Sequence, residues 1–159
     1  MKVRIKDVVV ADEAIFRWSN LQVPPAMSMT LGLVVRTIRP ILEQFDDEQH
    51  KMNRALSDYL EEINPADAAG ERKSVTGAQS RMMTLKQREL EGQIKEVGEQ
   101  EVELAGVSPI KLSRFKKARI VPSGRELALA WWLVEYDLDA DDFEGVEETK
   151  SLKETHSHA

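Results

Sequence analysis

The chain has 159 residues, 42% of them hydrophobic and 31% charged, and its 22 basic and 28 acidic side chains leave a formal net charge of −6. That composition suits one folded domain with a real core and disfavours broad electrostatic wrapping of nucleic acid. There is no cysteine, which excludes disulfides, thiolate metal sites and cysteine nucleophiles and favours a reducing, cytoplasmic setting.

The opening stretch MKVRIKDVVVADEAIF mixes acids and bases into its short apolar run, so neither a secretory leader nor a membrane span is expected there. Val3 and Ile5 alternate with Lys2, Arg4 and Lys6, the two-residue period of a half-buried strand over Met1 to Lys6. Val8, Ala11, Ile15 and Trp18 then recur at helical spacing and predict a short helix from Asp7 to Leu21, ended by Val23-Pro24-Pro25.

Ser28 is placed to cap the next helix, whose apolar stripe runs through Leu31, Val34, Val35, Ile38, Ile41, Leu42, Phe45, Met52, Leu56, Leu60 and Ile63. Pro40 interrupts its hydrogen-bond ladder, so a kink near Ile38 or two abutting helices are expected. Residues Ala66 to Gly77 have loop composition and read as the most flexible segment. Met83, Leu90, Ile94 and Val97 predict a second helix from about Ala78, which would fold back on the first as a helical hairpin.

Alternation returns at Gln100 to Gly106 and again at Pro109 to Leu112, predicting two more strands. The acidic face of Glu101 and Glu103 complements Lys2, Arg4 and Lys6, which favours pairing of the first and second strands. Ser123-Gly124-Arg125-Glu126 has the spacing of a capping box and predicts a helix from Gly124 to Tyr136, with Leu127, Ala130, Trp131 and Val134 inward and Trp132 and Tyr136 toward the flank. Residues 137–159 are acidic and then polar, and read as a partly disordered segment outside a single α+β domain of residues 1–136.

Four constellations could carry chemistry. Lys116, Lys117, Arg119 and Arg125, close to Lys111, Arg114 and Phe115, could hold phosphate with help from the amides that open the last helix, although a solvated basic face is the plainer reading. Trp132 and Tyr136 could offer an aromatic contact to a partner or a stacked base. Asp137, Asp139, Asp141 and Glu148 fall at positions one, three, five and twelve of a calcium loop, but Asp142 stands where glycine is required, so a charged helix exit is preferred. His50 follows Asp46, Asp47 and Glu48, and reads as a solvent-facing histidine rather than a metal ligand. Glycine-rich phosphate loops, a Gly-x-Ser-x-Gly elbow and a His-Glu-x-x-His helix are all missing from the sequence, so no enzyme, cofactor or metal is expected.

The segments MKVRIKD, NLQVPPAMS, LVVRTIRPILEQFDDEQHKM, EVELAGVSPIKL and IVPSGRELALAWWLVE, taken in order, resemble a family of small proteins encoded by tailed bacteriophages and prophages, over roughly residues 1–136. The resemblance implies a phage origin and an α+β fold with paired terminal strands, and it brings no catalytic residues with it. The expected architecture is mostly helical α+β: a long helical hairpin, a small antiparallel sheet and a C-terminal capping helix. The expected role is a non-enzymatic interaction protein that forms a homo-oligomer and binds a host or phage protein. The alternative is a counter-defence protein that sequesters a nucleotide signal.

Overall fold

The structure is a computed structural model that describes residues 1–138. It is a mostly helical α+β protein. Its elements in order are β1 (Lys2–Arg4), α1 (Ile5–Ser19), α2 (Pro25–Ile63), α3 (Gly77–Glu99), β2 (Glu101–Glu103), β3 (Ile110–Lys111), α4 (Leu112–Lys117), α5 (Gly124–Leu129), a 3-10 turn (Trp131–Leu133) and β4 (Val134–Glu135). Two compact units divide the chain: Met1–Leu42 with the residues from Glu101 onward, and Glu43–Gln100.

The first unit holds the hydrophobic core. Val8, Ala11, Ile15 and Trp18, the stripe that predicted α1, are all buried, together with Leu31, Val34 and Ile38 of α2, Leu104, Ile110, Phe115, Ile120 and Leu133. Trp18 and Phe115 meet edge to face, with ring centroids 4.9 Å apart. β1 pairs antiparallel with β2, and the register sets Lys2 against Glu103, Val3 against Val102 and Arg4 against Glu101, the charge match expected from the sequence. The N-terminal ammonium adds an ion pair to Glu103 at 2.6 Å.

Several expectations are corrected. α2 begins at Pro25 rather than at Ser28, because a proline at the first helical position gives up an amide that has no partner there anyway. The Pro24 carbonyl accepts from the amides of Met27 and Ser28, both at 3.0 Å. α2 then runs unbroken through Pro40, whose position is exposed, so the carbonyl it leaves unpaired can turn to water; two abutting helices are not seen.

The expected helix from Gly124 to Tyr136 stops at Leu129. Trp132, Leu133 and Val134 are consecutive and all buried, which one face of an α-helix cannot achieve, so the chain changes to a 3-10 turn and then to strand. The strand at Ile110 does not extend the β1–β2 pair. It pairs in parallel with β4, Ile110 opposite Val134 and Lys111 opposite Glu135.

α4, between these strands, closes with two hydrogen bonds, Arg119 N–H to the Lys116 carbonyl at 3.0 Å and Ile120 N–H to the Phe115 carbonyl at 2.9 Å. This is a Schellman closure, in which the buried side chains of Phe115 and Ile120 cover the turn. Arg119 takes the left-handed position at φ 58°, where glycine is the usual residue.

The second unit is an arm made of the C-terminal part of α2 and of α3. Tyr59 and Lys86 pack together, the ammonium 5.7 Å from the ring centre, and Gln79 Nε2 donates to the Ile63 carbonyl at 2.8 Å. α3 starts in a full capping box, with Thr76 accepting from Gln79 N–H at 3.1 Å and the Gln79 side chain accepting from Thr76 N–H at 3.0 Å. The connecting loop is tied down: buried Asn64 donates to the Lys73 carbonyl at 2.8 Å, the Asp67 carboxylate accepts from Ala69 and Glu71 amides, and Arg72 pairs with Glu61. Among the described residues, no helix is long and apolar enough to cross a membrane.

Candidate interaction surfaces

In the first unit α1 and α5 flank an open groove of about 420 Å³ lined by Glu13, Phe16, Arg17, Asn20, Arg125, Glu126 and Leu129 among others. An ion pair forms part of its lining. Glu126 completes the capping box of α5, accepting from Ser123 N–H at 2.8 Å, and the same carboxylate takes Arg17 in a forked contact, with Nη2 to Oε2 at 2.8 Å. Arg17 also donates to the Val121 carbonyl at 3.2 Å, so one side chain holds α1 to both ends of the Val121–Glu126 segment. Burial alone would raise the Glu126 carboxyl, but the Arg17 guanidinium and the Ser123 amide outweigh it and hold the group below the ordinary carboxylate range.

This geometry bears on the four basic candidates. Only Arg125 lines the groove; Lys116 and Lys117 are exposed on the outer side of α4, whose Leu112 and Phe115 face the core, and Arg119 is exposed in the turn after it. At the start of α5 the Ser123 amide donates to the Glu126 carboxylate and the Glu126 amide to the Ser123 hydroxyl. With Glu13 and Glu126 beside Arg17 and Arg125, the groove carries no surplus of positive charge to recruit a phosphate dianion.

The aromatic pair is placed the other way round from the sequence reading. Trp132 is 6% exposed and its indole N–H donates to the Asp7 carbonyl at 3.1 Å, whereas Trp131, expected inward, is 59% exposed. Tyr136 is exposed as expected. Trp132 is thus a core residue with its polar edge satisfied, and Trp131 is the indole available to a partner.

Asp137 is engaged as a cap: its carboxylate accepts from the Ser113 amide at 2.8 Å and from the Ser113 hydroxyl, contacts that hold it below the ordinary aspartate range. Asp139, Asp141 and Glu148, the other members of the calcium-loop pattern, lie outside the described residues, as does nearly all of the segment 137–159. Among the described residues no group of three or more carboxylates or histidines gathers where a metal could be held. His50 is exposed, its Nδ1 2.8 Å from the Asp46 carbonyl one turn back.

The second surface is the arm. Of the predicted stripe on α2, Leu31, Val34 and Ile38 are buried and Val35, Ile41 and Leu42 are half-buried against the core cluster, while Phe45, Met52, Leu56, Leu60 and Ile63 are half-buried outside it. Along α3, Leu90 is buried, Met83, Ile94 and Val97 are half-buried, and Met82 and Leu85 are 42% and 65% exposed. A shallow hollow between the helices, lined by Met52, Ala55, Leu90, Ile94 and Val97, marks incomplete packing along the seam.

Sequence reasoning missed the Arg17–Glu126 pair, since nothing local links positions 109 residues apart, and missed Thr76-x-x-Gln79, whose capping-box spacing was legible. Comparison with known proteins adds no relative: no family model, no curated protein and no solved structure matches this chain.

Proposed function

We propose that this chain is a non-enzymatic interaction protein of the cytoplasm that assembles with copies of itself, and that the helical arm of residues 43–100 is the surface through which it does so. The reading rests on one disproportion. Among the described residues the arm contributes Leu90 alone to the buried hydrophobic side chains, although it spans two long helices with an apolar stripe on each. A two-helix arm can cover only the side of each stripe that faces its neighbour, and the stripes here are wider than that contact. Half-covered apolar helices of this kind are a common form of protein-binding surface.

The resemblance of residues 1–136 to phage proteins supplies the setting we propose, with a host or virion protein as the further partner. Native mass spectrometry of the purified chain tests the reading. Bare multiples of the 18.0 kDa chain are the expected result. A bare monomer at every concentration would count against assembly, and a retained nucleotide-sized mass would favour sequestration of a small ligand instead.

A further inference from the structure

The outer face of α3 is self-complementary. Ala78, Arg81, Leu85, Arg88, Gly92 and Glu96 recur at three- and four-residue steps, so they form one stripe along the helix, and every one of them is exposed. This stripe points away from the side made by buried Leu90 and half-buried Met83, Ile94 and Val97. Two of its features have no explanation among the described residues. Leu85 is 65% exposed at its centre. Gly92 lies two turns further on, in a helix interior where glycine is disfavoured by about 1 kcal/mol relative to alanine, yet a side chain built there would meet no atom within 4 Å. Among the described residues no neighbour requires the glycine, so the backbone is left open to a close approach from outside.

Charge along α3 is divided as well. From Gly77 to Arg88 the charged residues are Arg81, Lys86 and Arg88, all basic; from Glu89 to Glu99 they are Glu89, Glu91, Lys95, Glu96 and Glu99, four of the five acidic. Parallel alignment of two such helices would set like charges together, whereas antiparallel alignment opposes them correctly along the whole length.

We propose that the partner of this face is α3 of a second copy, packed antiparallel about a two-fold axis between Arg88 and Glu89. That register sets Leu85 of each copy over Gly92 of the other, Arg81 opposite Glu96 and Arg88 opposite Glu89. A two-fold contact must match a surface with itself, and this stripe carries both halves of the Leu85–Gly92 and Arg81–Glu96 pairs, with Glu89 at its edge facing Arg88. Lys86 reaches Glu89 of its own chain at 3.5 Å and lies at the flank of the contact. The inference rests on the proposed assembly through the arm and places a contact on the outer face of α3, opposite the side formed by Met83, Leu90, Ile94 and Val97.

Sedimentation velocity of the full chain tests it, with the wild type, Arg81→Glu/Arg88→Glu, Glu89→Arg/Glu96→Arg, Gly92→Leu and an equal mixture of the two charge variants. The wild type is expected to dimerise and each charge variant alone to weaken dimerisation by at least about tenfold, because each carries one sign along the whole stripe. Mixing the two is expected to restore a dimer. Gly92→Leu is expected to lose the dimer while keeping or raising its melting temperature, which separates a blocked contact from a misfolded chain. If the wild type assembles and the variants assemble equally well, or if the mixture fails to recover a dimer, the α3 contact is overturned while assembly stands. A wild type that stays monomeric overturns both.

Discussion

Arg119 shows how a residue singled out for its charge can be held for its backbone. The closure of α4 needs one left-handed residue, and arginine occupies it at φ 58°. Replacing it by glycine removes a conformational cost of about 1 kcal/mol, partly offset by the greater freedom of the unfolded chain. Arg119→Gly sets that relief against the loss of the side chain's own interactions, and is expected to leave stability within about 1 kcal/mol of the parent in urea titration. A marked loss of stability would mean that the guanidinium, not the backbone, matters there. Beneath that turn Phe115 is fully buried against Trp18, and truncation to alanine is expected to cost about 3–5 kcal/mol through the cavity it leaves.

Glu126 gives the pH dependence a sign. Its carboxyl is lowered in the folded state relative to the ordinary value of 4.5, so the stability it contributes is complete above the ordinary carboxylate range and is lost as pH falls through the lower folded value. Asp137, lowered by its bonds to Ser113, acts in the same direction. Glu126→Gln is expected to cost about 2 kcal/mol near neutral pH, since it replaces the charged half of the Arg17–Glu126 pair by a neutral amide. It is also expected to flatten the decline of the urea midpoint between about pH 5 and pH 3. An unchanged acid slope would show that the pair does not join α1 to α5 energetically.

At the scale of elements, what could be read in advance was whatever a local pattern encodes. The stripe of α1, the pairing of Lys2, Val3 and Arg4 with Glu103, Val102 and Glu101, and the Ser123–Glu126 capping box are all local in pattern, and all are present. The failures come where tertiary burial overrides a local period. The helical spacing of Leu127, Ala130 and Val134 suggested one long helix, but the core takes up Trp132, Leu133 and Val134 in succession, and the helix ends at Leu129. The same change of backbone exchanged the two tryptophans. Trp132→Ala is accordingly expected to destabilise by about 3–5 kcal/mol, while Trp131→Ala is expected to stay within about 0.5 kcal/mol, a contrast that thermal unfolding measures directly. The alternation at Pro109 to Leu112 marked β3, but its parallel partner β4 had no signal, since two residues are too short for a period. The start of α3 was within reach through Thr76 and Gln79, and Thr76→Ala is expected to cost about 1 kcal/mol, read as earlier loss of helical circular dichroism.

For the molecule as a whole, the division of burial between the two units is the central fact. Residues 1–42 and those from Glu101 share one hydrophobic cluster, and the arm adds only Leu90 to the buried hydrophobic set among the described residues. The length of the apolar stripe was legible in the sequence; that its second half would be left half-covered was not, because cover depends on what lies opposite each turn of helix. The arm should therefore open locally more easily than the core, and a partner that covers it should slow that opening. Hydrogen–deuterium exchange of the full chain, compared between dilute and concentrated solution, tests this most directly. The expected result is that amides of Gly77–Glu99 become more protected as concentration rises while those of Ile5–Ser19 do not change. Concentration-independent exchange throughout, or protection that grows only in the first unit, would contradict the assignment of the arm as the surface of assembly.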